Sequence, residues 1–183
     1  MVRLILCSIL AVAAFAQTAP QGLEPTWDMA AIMDQLGKDT ARLQPLLDQV
    51  KAEAWVQKGA SETYRVQLQS CKEQTRAIVT EAAALTRNPE KLSGALQLYF
   101  RFEGLETMLG SLEEAARRYQ DAQIAQDLAQ TFAISGANRD RLRSYVVNLA
   151  ADRERQFEIM DQEAQRCRGM LMPPPPKTTV RKK

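Results

Sequence analysis

Histidine is absent from the 183-residue sequence. Without histidine the chain cannot form a Ser-His-Asp or Cys-His catalytic system, most zinc sites, or the Glu-x-x-His motif of di-iron helical bundles. The sequence also lacks a Gly-rich phosphate loop, a Cys-x-x-Cys-His haem motif and an Asp-rich calcium loop. These absences indicate a protein that is not an enzyme, and we expect it to need no cofactor and no metal.

Glycine and proline are scarce as well, with eight of each, while Ala, Leu, Gln, Glu and Arg are abundant. This mixture favours α-helix, because these residues lose little side-chain freedom in a helix and glycine and proline interrupt it. A chain of this length is typically one domain with a substantial hydrophobic core. The composition therefore predicts an all-α fold.

Positive charge is concentrated at the carboxyl end of a chain whose net charge is only +2. The sequence ends in a basic tail that contains Lys177, Arg181, Lys182 and Lys183, so the rest of the chain is mildly acidic. A basic face across the fold, which is typical of nucleic-acid-binding domains, is not indicated, and we expect no nucleic-acid partner. The tail is expected to be disordered and to make weak contact with an anionic surface.

The amino end has the pattern of a secretory signal peptide. Arg3 precedes an apolar run over residues 4–15, and Ala14-Phe15-Ala16 fits the small-x-small cleavage rule. The run is too short to span a membrane, so the mature chain is predicted to have no transmembrane segment. We expect cleavage after Ala16 and a periplasmic or secreted location; the alternative is an uncleaved amino-terminal anchor.

The remaining chain divides at its proline-rich stretches. Residues 17–25 form an extended leader, residues 26–172 a helical bundle domain, and residues 173–183 a proline-rich linker with the basic tail. Within the domain, apolar residues recur at steps of three and four, which is the spacing of amphipathic helices. The pattern predicts four main helices and one short helix: 27–57 with a kink near Pro45, 61–86, 89–119, 138–169 capped by Asn138, and the short helix 121–134. One alternative stays open, a single helix over 121–169 that overhangs the bundle.

Two cysteines remain after removal of the signal peptide, and both lie on apolar stripes. Cys71 belongs to the second main helix and Cys167 to the last. Residues on core stripes face neighbouring helices, and oxidising compartments form and keep disulfides. The sequence therefore predicts a Cys71–Cys167 disulfide that staples the bundle; the alternative is a pair of unpaired buried thiols.

Three residues inside the predicted helices break the apolar or helix-forming pattern. Arg153 occupies a stripe position, where it is either a core charge that binds an anion or fixes register, or a side chain that reaches the surface or pairs with an acid such as Glu103 or Glu106. We favour the second interpretation. Gly104 and Gly110 lie within a helix, and we expect them to allow close packing against a bulky neighbour.

The sequence as a whole predicts an exported, non-enzymatic helical bundle. We expect it to act as an interaction or scaffold module of the cell envelope, with an unidentified protein or envelope component as its partner. The alternative is a bundle that carries a small apolar ligand between its helices. An enzymatic role is disfavoured by the absence of histidine and of any nucleophile motif.

Overall fold

The structure, a computed structural model, describes residues 24–171, and all regular secondary structure in this range is helical. The all-α prediction is confirmed. Seven helices follow one another along the chain: α1 Thr26–Ala41, α2 Gln44–Leu47, α3 Ala52–Gln57, α4 Thr63–Leu85, α5 Leu92–Tyr119, α6 Ala122–Ala133 and α7 Gly136–Leu171. The predicted signal peptide, nearly all of the leader, and the basic tail with Lys177, Arg181, Lys182 and Lys183 lie outside the described residues.

The first predicted helix is divided into three helices, α1 to α3, and the first division lies just before the proline. The amides of Arg42 and Leu43 donate to the carbonyl oxygens of Asp39 and Thr40 at 3.2 and 3.0 Å, which closes α1 with tight turns. Pro45 lies in the first turn of α2, where an amide hydrogen has no partner within the helix. The proline thus starts a new short helix and does not merely kink a long one.

The segment α1–α3 runs antiparallel to α4. Gly37 approaches α4 closely, because a Cβ atom added there would lie 3.4 Å from the Cβ of Ala82. Further along, Lys72 pairs with Asp48 at 2.8 Å. Helix α5 packs on α4, also antiparallel, and the Arg101 guanidinium donates to Glu81 at 2.7 Å. Helices α6 and α7 then pack on α5.

A buried apolar core lies between α1, α4, α5, α6 and the first half of α7. At one end of this core the fully buried Trp55 is held by Gln120, which follows α5. The Gln120 Oε1 accepts hydrogen bonds from the Trp55 indole at 3.2 Å and from the Lys51 amide at 2.8 Å. Its Nε2 donates to the Gln49 carbonyl at 3.0 Å. A single side chain thereby joins the α2–α3 connection to the end of α5.

Helices α6 and α7 are separate, which decides the open alternative for residues 121–169. The break lies at Ile134 and Ser135, where the Ser135 hydroxyl donates to the Phe132 carbonyl at 2.9 Å. Helix α7 begins at Gly136, two residues before the predicted cap at Asn138. The overhang that was expected of a single long helix is nevertheless present, because α7 alone has 36 residues.

The expectation for the two glycines of α5 was wrong. A Cβ atom added at Gly104 or Gly110 would meet nothing within 4 Å. Neither glycine therefore provides close helix packing; the helical glycines with near neighbours are Gly37 on α1 and Gly94 on α5.

The predicted disulfide is absent, and Cys71 and Cys167 are free thiols. Cys71 is fully buried on α4, while Cys167 is exposed near the end of α7. The prediction was wrong because the apolar stripe of α7 continues beyond the point where the other helices cover it. A stripe position there does not bring a side chain into the core. Burial raises the pKa of the Cys71 thiol to about 12, which keeps the thiol protonated and unreactive at neutral pH.

Candidate interaction surface on the last helix

The first half of α7 is packed against the rest of the protein. We call residues 136–152 the packed half. Its stripe residues Leu142 and Leu149 are fully buried, and Val146 and Tyr145 nearly so. The Tyr145 hydroxyl donates to the Pro89 carbonyl at 3.2 Å. These contacts attach the packed half firmly to the preceding helices. We call residues 24–152, which include the packed half, the body.

The second half of α7 leaves the body entirely. Every residue from 154 to 170, the segment that we call the overhang, is exposed. At a rise of about 1.5 Å per residue the overhang projects about 25 Å. Phe157, Met160 and Met170 are 72%, 67% and 73% exposed, which is unusual for side chains of this size.

The apolar residues of the overhang are confined to one side of the helix. At about 100° per residue, they all lie within an arc of roughly 160°, and the opposite side carries only polar residues and a glycine. The apolar set is Phe157, Ile159, Met160, Ala164, Cys167 and Met170. We call Phe157, Met160, Ala164 and Cys167 the bare stripe. The overhang is therefore an amphipathic helix whose apolar side has no cover in the described chain.

The bare stripe continues the stripe that the body buries. Leu142 and Met160 are separated by five helical turns, and so are Leu149 and Cys167, which places each pair on the same side of α7. Val146 and Ala164 are related in the same way. The same pattern is thus buried in the packed half and exposed in the overhang, so the difference between the halves is the presence of neighbouring helices.

Arg153 marks the boundary between the two halves. Its guanidinium pairs with the Glu90 carboxylate at 3.2 Å, at the end of the body, and donates to the Gln156 side chain at 2.8 Å. The side chain is 39% exposed. The partner is Glu90, and not Glu103 or Glu106 as we expected. Arg153 therefore lies at the rim of the body, where its charge remains accessible to water.

Glu106 pairs instead with Arg139 in the first turn of α7. The Arg139 guanidinium lies 2.7 Å from the Glu106 carboxylate and 4.0 Å from the centre of the Phe132 ring. A cation over an aromatic face is attracted by the ring quadrupole. This contact fixes the start of α7 against α5 and α6, and it directs the helix along the body toward the overhang.

The overhang carries charges of both signs in an ordered sequence. Acidic residues come first and basic residues last: Glu154, Glu158, Asp161 and Glu163 are followed by Arg166 and Arg168, with Arg155 paired to Asp152 of the packed half at 3.4 Å. A helix with one charge sign toward each end can pair with a reversed copy of that pattern.

Two grooves of the body are smaller or more polar than a typical ligand pocket. An apolar groove between α1 and α4, lined in part by Met33, Gly37 and Val79, has a volume of about 190 Å³. A larger groove of about 720 Å³ has charged residues in its lining, which include Glu62, Arg65 and Lys72. Within residues 24–171 we find no group of three or more Cys, Asp or Glu placed to hold a metal, and no helix with the length and apolar character needed to cross a membrane.

The overhang reflects a difference in helix length that the predicted helices did not show. With its 36 residues α7 is longer than α4 and α5, which have 23 and 28. A helix longer than the helices beside it must extend past them, even when its apolar stripe is continuous. The predicted helices 89–119 and 138–169 had nearly equal lengths of 31 and 32 residues, so they did not place Phe157 and Met160 outside the core.

The sequence matches no protein-family model, and comparison with curated proteins and with solved structures gave no significant match.

Proposed function

We propose that this protein is an exported, non-enzymatic bundle of four main helices that serves as an interaction or scaffold module of the cell envelope. The bare stripe of α7 is its docking surface. The observation that carries the proposal is the exposure of Phe157, Met160 and Cys167 on a side of the helix that the protein itself buries five turns earlier.

The energetics of the overhang support a docking role. Burial of a large apolar side chain stabilises by about 1.5–3 kcal/mol, and the overhang gains none of this on its own. Isolated helices of this length are only marginally stable in water. A partner that covers the bare stripe would both bury these side chains and stabilise the helix.

A carrier of small apolar ligands is less well supported. The apolar groove between α1 and α4, at about 190 Å³, is smaller than the roughly 300–1,000 Å³ of typical small-molecule sites. Its lining includes the charged residues Asp34 and Lys38. The bare stripe is an open convex surface, which suits a helix or another protein surface better than a small molecule.

Location in the envelope rests on the amino-terminal pattern. With cleavage after Ala16, the mature chain begins at Gln17, and the basic tail adds weak attraction to anionic surfaces through Lys177 and Lys183 among others. Mass spectrometry of the native protein should find Gln17 at the amino terminus. A native chain that begins at Met1 and is found in a cytosolic fraction would contradict the proposed location in the envelope.

The docking role can be tested by chemical crosslinking in the native envelope. Met160→Glu places a charge in the bare stripe, and Val147→Glu places the same charge at an exposed position of α7 on the side away from that stripe. Crosslinked products of the wild-type chain should persist with Val147→Glu and disappear with Met160→Glu. Identical products for all three chains would show that the bare stripe is not a docking surface.

A further inference from the structure

We propose that the bare stripe binds the bare stripe of a second copy of this chain, with the two overhangs antiparallel. This inference rests on the proposed function and names the partner. Its starting point is that the bare stripe is exposed over residues 157–167, and that the stripe of a second copy complements it in the size of its side chains.

The register follows from the positions of the bare residues. A two-fold axis at Gln162, the midpoint of the bare stripe, places Phe157 opposite Cys167 of the other copy and Met160 opposite Ala164. Each large side chain then faces a small one, as well-packed interfaces require. The spacing of these residues is that of alternating a and d positions of a heptad, the geometry of a two-stranded coiled coil. The axis that matches large with small residues therefore also covers the whole bare stripe.

The antiparallel direction follows from the shape of the molecule. Because the bare stripe and the buried stripe lie on the same side of α7, a parallel second copy would run through the volume that α1 and α5 occupy beside the packed half. An antiparallel copy places the two bodies at opposite ends of the paired overhangs, separated by about 25 Å. A parallel pairing would also stack Ala164 on its own counterpart and leave a gap in the interface.

Charges beside the stripe favour and oppose this pairing at different points. Glu154 comes next to Arg168 of the other copy on both flanks of the interface, which is attractive. Asp161 and Glu163 come close to their own counterparts near the axis, which is repulsive. With only two heptads of apolar contact, we expect a reversible dimer with a dissociation constant on the order of 10 µM.

The first experiment is sedimentation velocity of the mature chain that begins at Gln17, from about 1 µM to about 300 µM, a range that brackets the expected dissociation constant. The wild-type chain should change from monomer to dimer over this range. Met160→Glu should require at least about 30-fold higher concentration to dimerise, because a charge would be buried in the interface. The matched control Val147→Glu should behave like the wild-type chain. Circular dichroism checks that both variants keep the wild-type helix content.

The second experiment determines the direction of pairing with disulfides. In the antiparallel register the two Cys167 residues are about 15 Å apart along the helix, too far for a disulfide. Mild oxidation with diamide, which accepts the two electrons and two protons of the thiols, should leave the wild-type chain uncrosslinked at Cys167. Phe157→Cys should give a dimer in which residue 157 of one copy is joined to Cys167 of the other, identified by peptide mapping.

Three results would overturn the proposal. They are a monomeric wild-type chain across the whole range, a Met160→Glu variant that dimerises like the wild type, and a Cys167–Cys167 crosslink in the wild-type chain. If the chain is monomeric and Met160→Glu still abolishes crosslinking in the envelope, the docking role stands and only the second copy is excluded.

Discussion

The packed half and the overhang of α7 carry the same apolar pattern in opposite surroundings. Leu142 and Leu149 are fully buried, whereas Met160 and Cys167, five turns further along on the same side, are exposed. The local sequence does not distinguish the two halves, since both are amphipathic and helical. The comparison shows that an apolar stripe specifies which side of a helix can be buried. The lengths of the neighbouring helices determine how much of that side is buried.

The same contrast appears in the two cysteines. Cys71 is buried within the body and Cys167 is exposed on the overhang, although both occupy stripe positions. A core thiol with a pKa of about 12 is chemically silent at neutral pH, and an exposed thiol is accessible to reagents. Three predictions follow this contrast from its largest expected effect to its smallest.

The two thiols should differ in reactivity by at least about a thousandfold. Alkylation of dilute native protein should modify Cys167 rapidly, while Cys71 should react only through rare opening of the body, which is populated at roughly 10⁻³ or less. Peptide mapping after timed quenching gives both rates, and denaturant should make them similar. Comparable rates in the native protein would mean that Cys71 is not inside a stable core.

Truncation of equivalent stripe residues should affect stability very differently in the two halves. Leu149→Ala removes buried methyl groups and leaves a cavity, so we expect a loss of about 2–5 kcal/mol in the free energy of unfolding. Met160→Ala should change it by less than about 0.5 kcal/mol, because the side chain contacts solvent. Urea unfolding measures both changes, at a protein concentration low enough that the chain is monomeric.

A large loss in the free energy of unfolding for Met160→Ala under those dilute conditions would contradict the difference between the packed half and the overhang. It would show that some part of the same chain covers the bare stripe. Equally small changes in the free energy of unfolding for Leu149→Ala and Met160→Ala would also contradict this difference, because the packed half would then contribute little to the core.

Glycine substitutions should separate helix propensity from packing, with the smallest effect of the three. Gly110→Ala lies in the interior of α5, where an added Cβ meets nothing, and should raise the free energy of unfolding by about 1 kcal/mol. Gln162→Gly in the overhang costs a similar amount of helix propensity, but it should leave the cooperative unfolding of the monomer unchanged. The overhang can fray without unfolding the body.

Thermal and urea unfolding together test this pair of substitutions. Gly94→Ala serves as the control for Gly110→Ala, since its Cβ would lie 3.0 Å from the Leu85 side chain and should bring less benefit. A loss of global stability with Gln162→Gly in the monomer would show that the overhang unfolds together with the body.

The sequence by itself determined the all-α fold, the approximate positions of the longer helices along the chain and the side of each that is apolar. Composition and the three-to-four spacing are local properties, and they located α4 within two residues at its start and one at its end, and correctly ended α5 at Tyr119. Pro45 similarly predicted the interruption between α1 and α2, because the effect of a proline on the backbone is also local.

Only the tertiary structure decided where the body ends, and with it the state of Cys167, the partner of Arg153 and the exposure of the bare stripe. Each of these depends on how far neighbouring helices extend alongside α7, and residues that are distant in sequence set that distance. The apolar periodicity is the same in the packed half and in the overhang, so it does not predict which of the two is buried. Arg153 pairs with Glu90 in the last turn of α7 that the body contacts, and beyond this turn the apolar stripe is exposed.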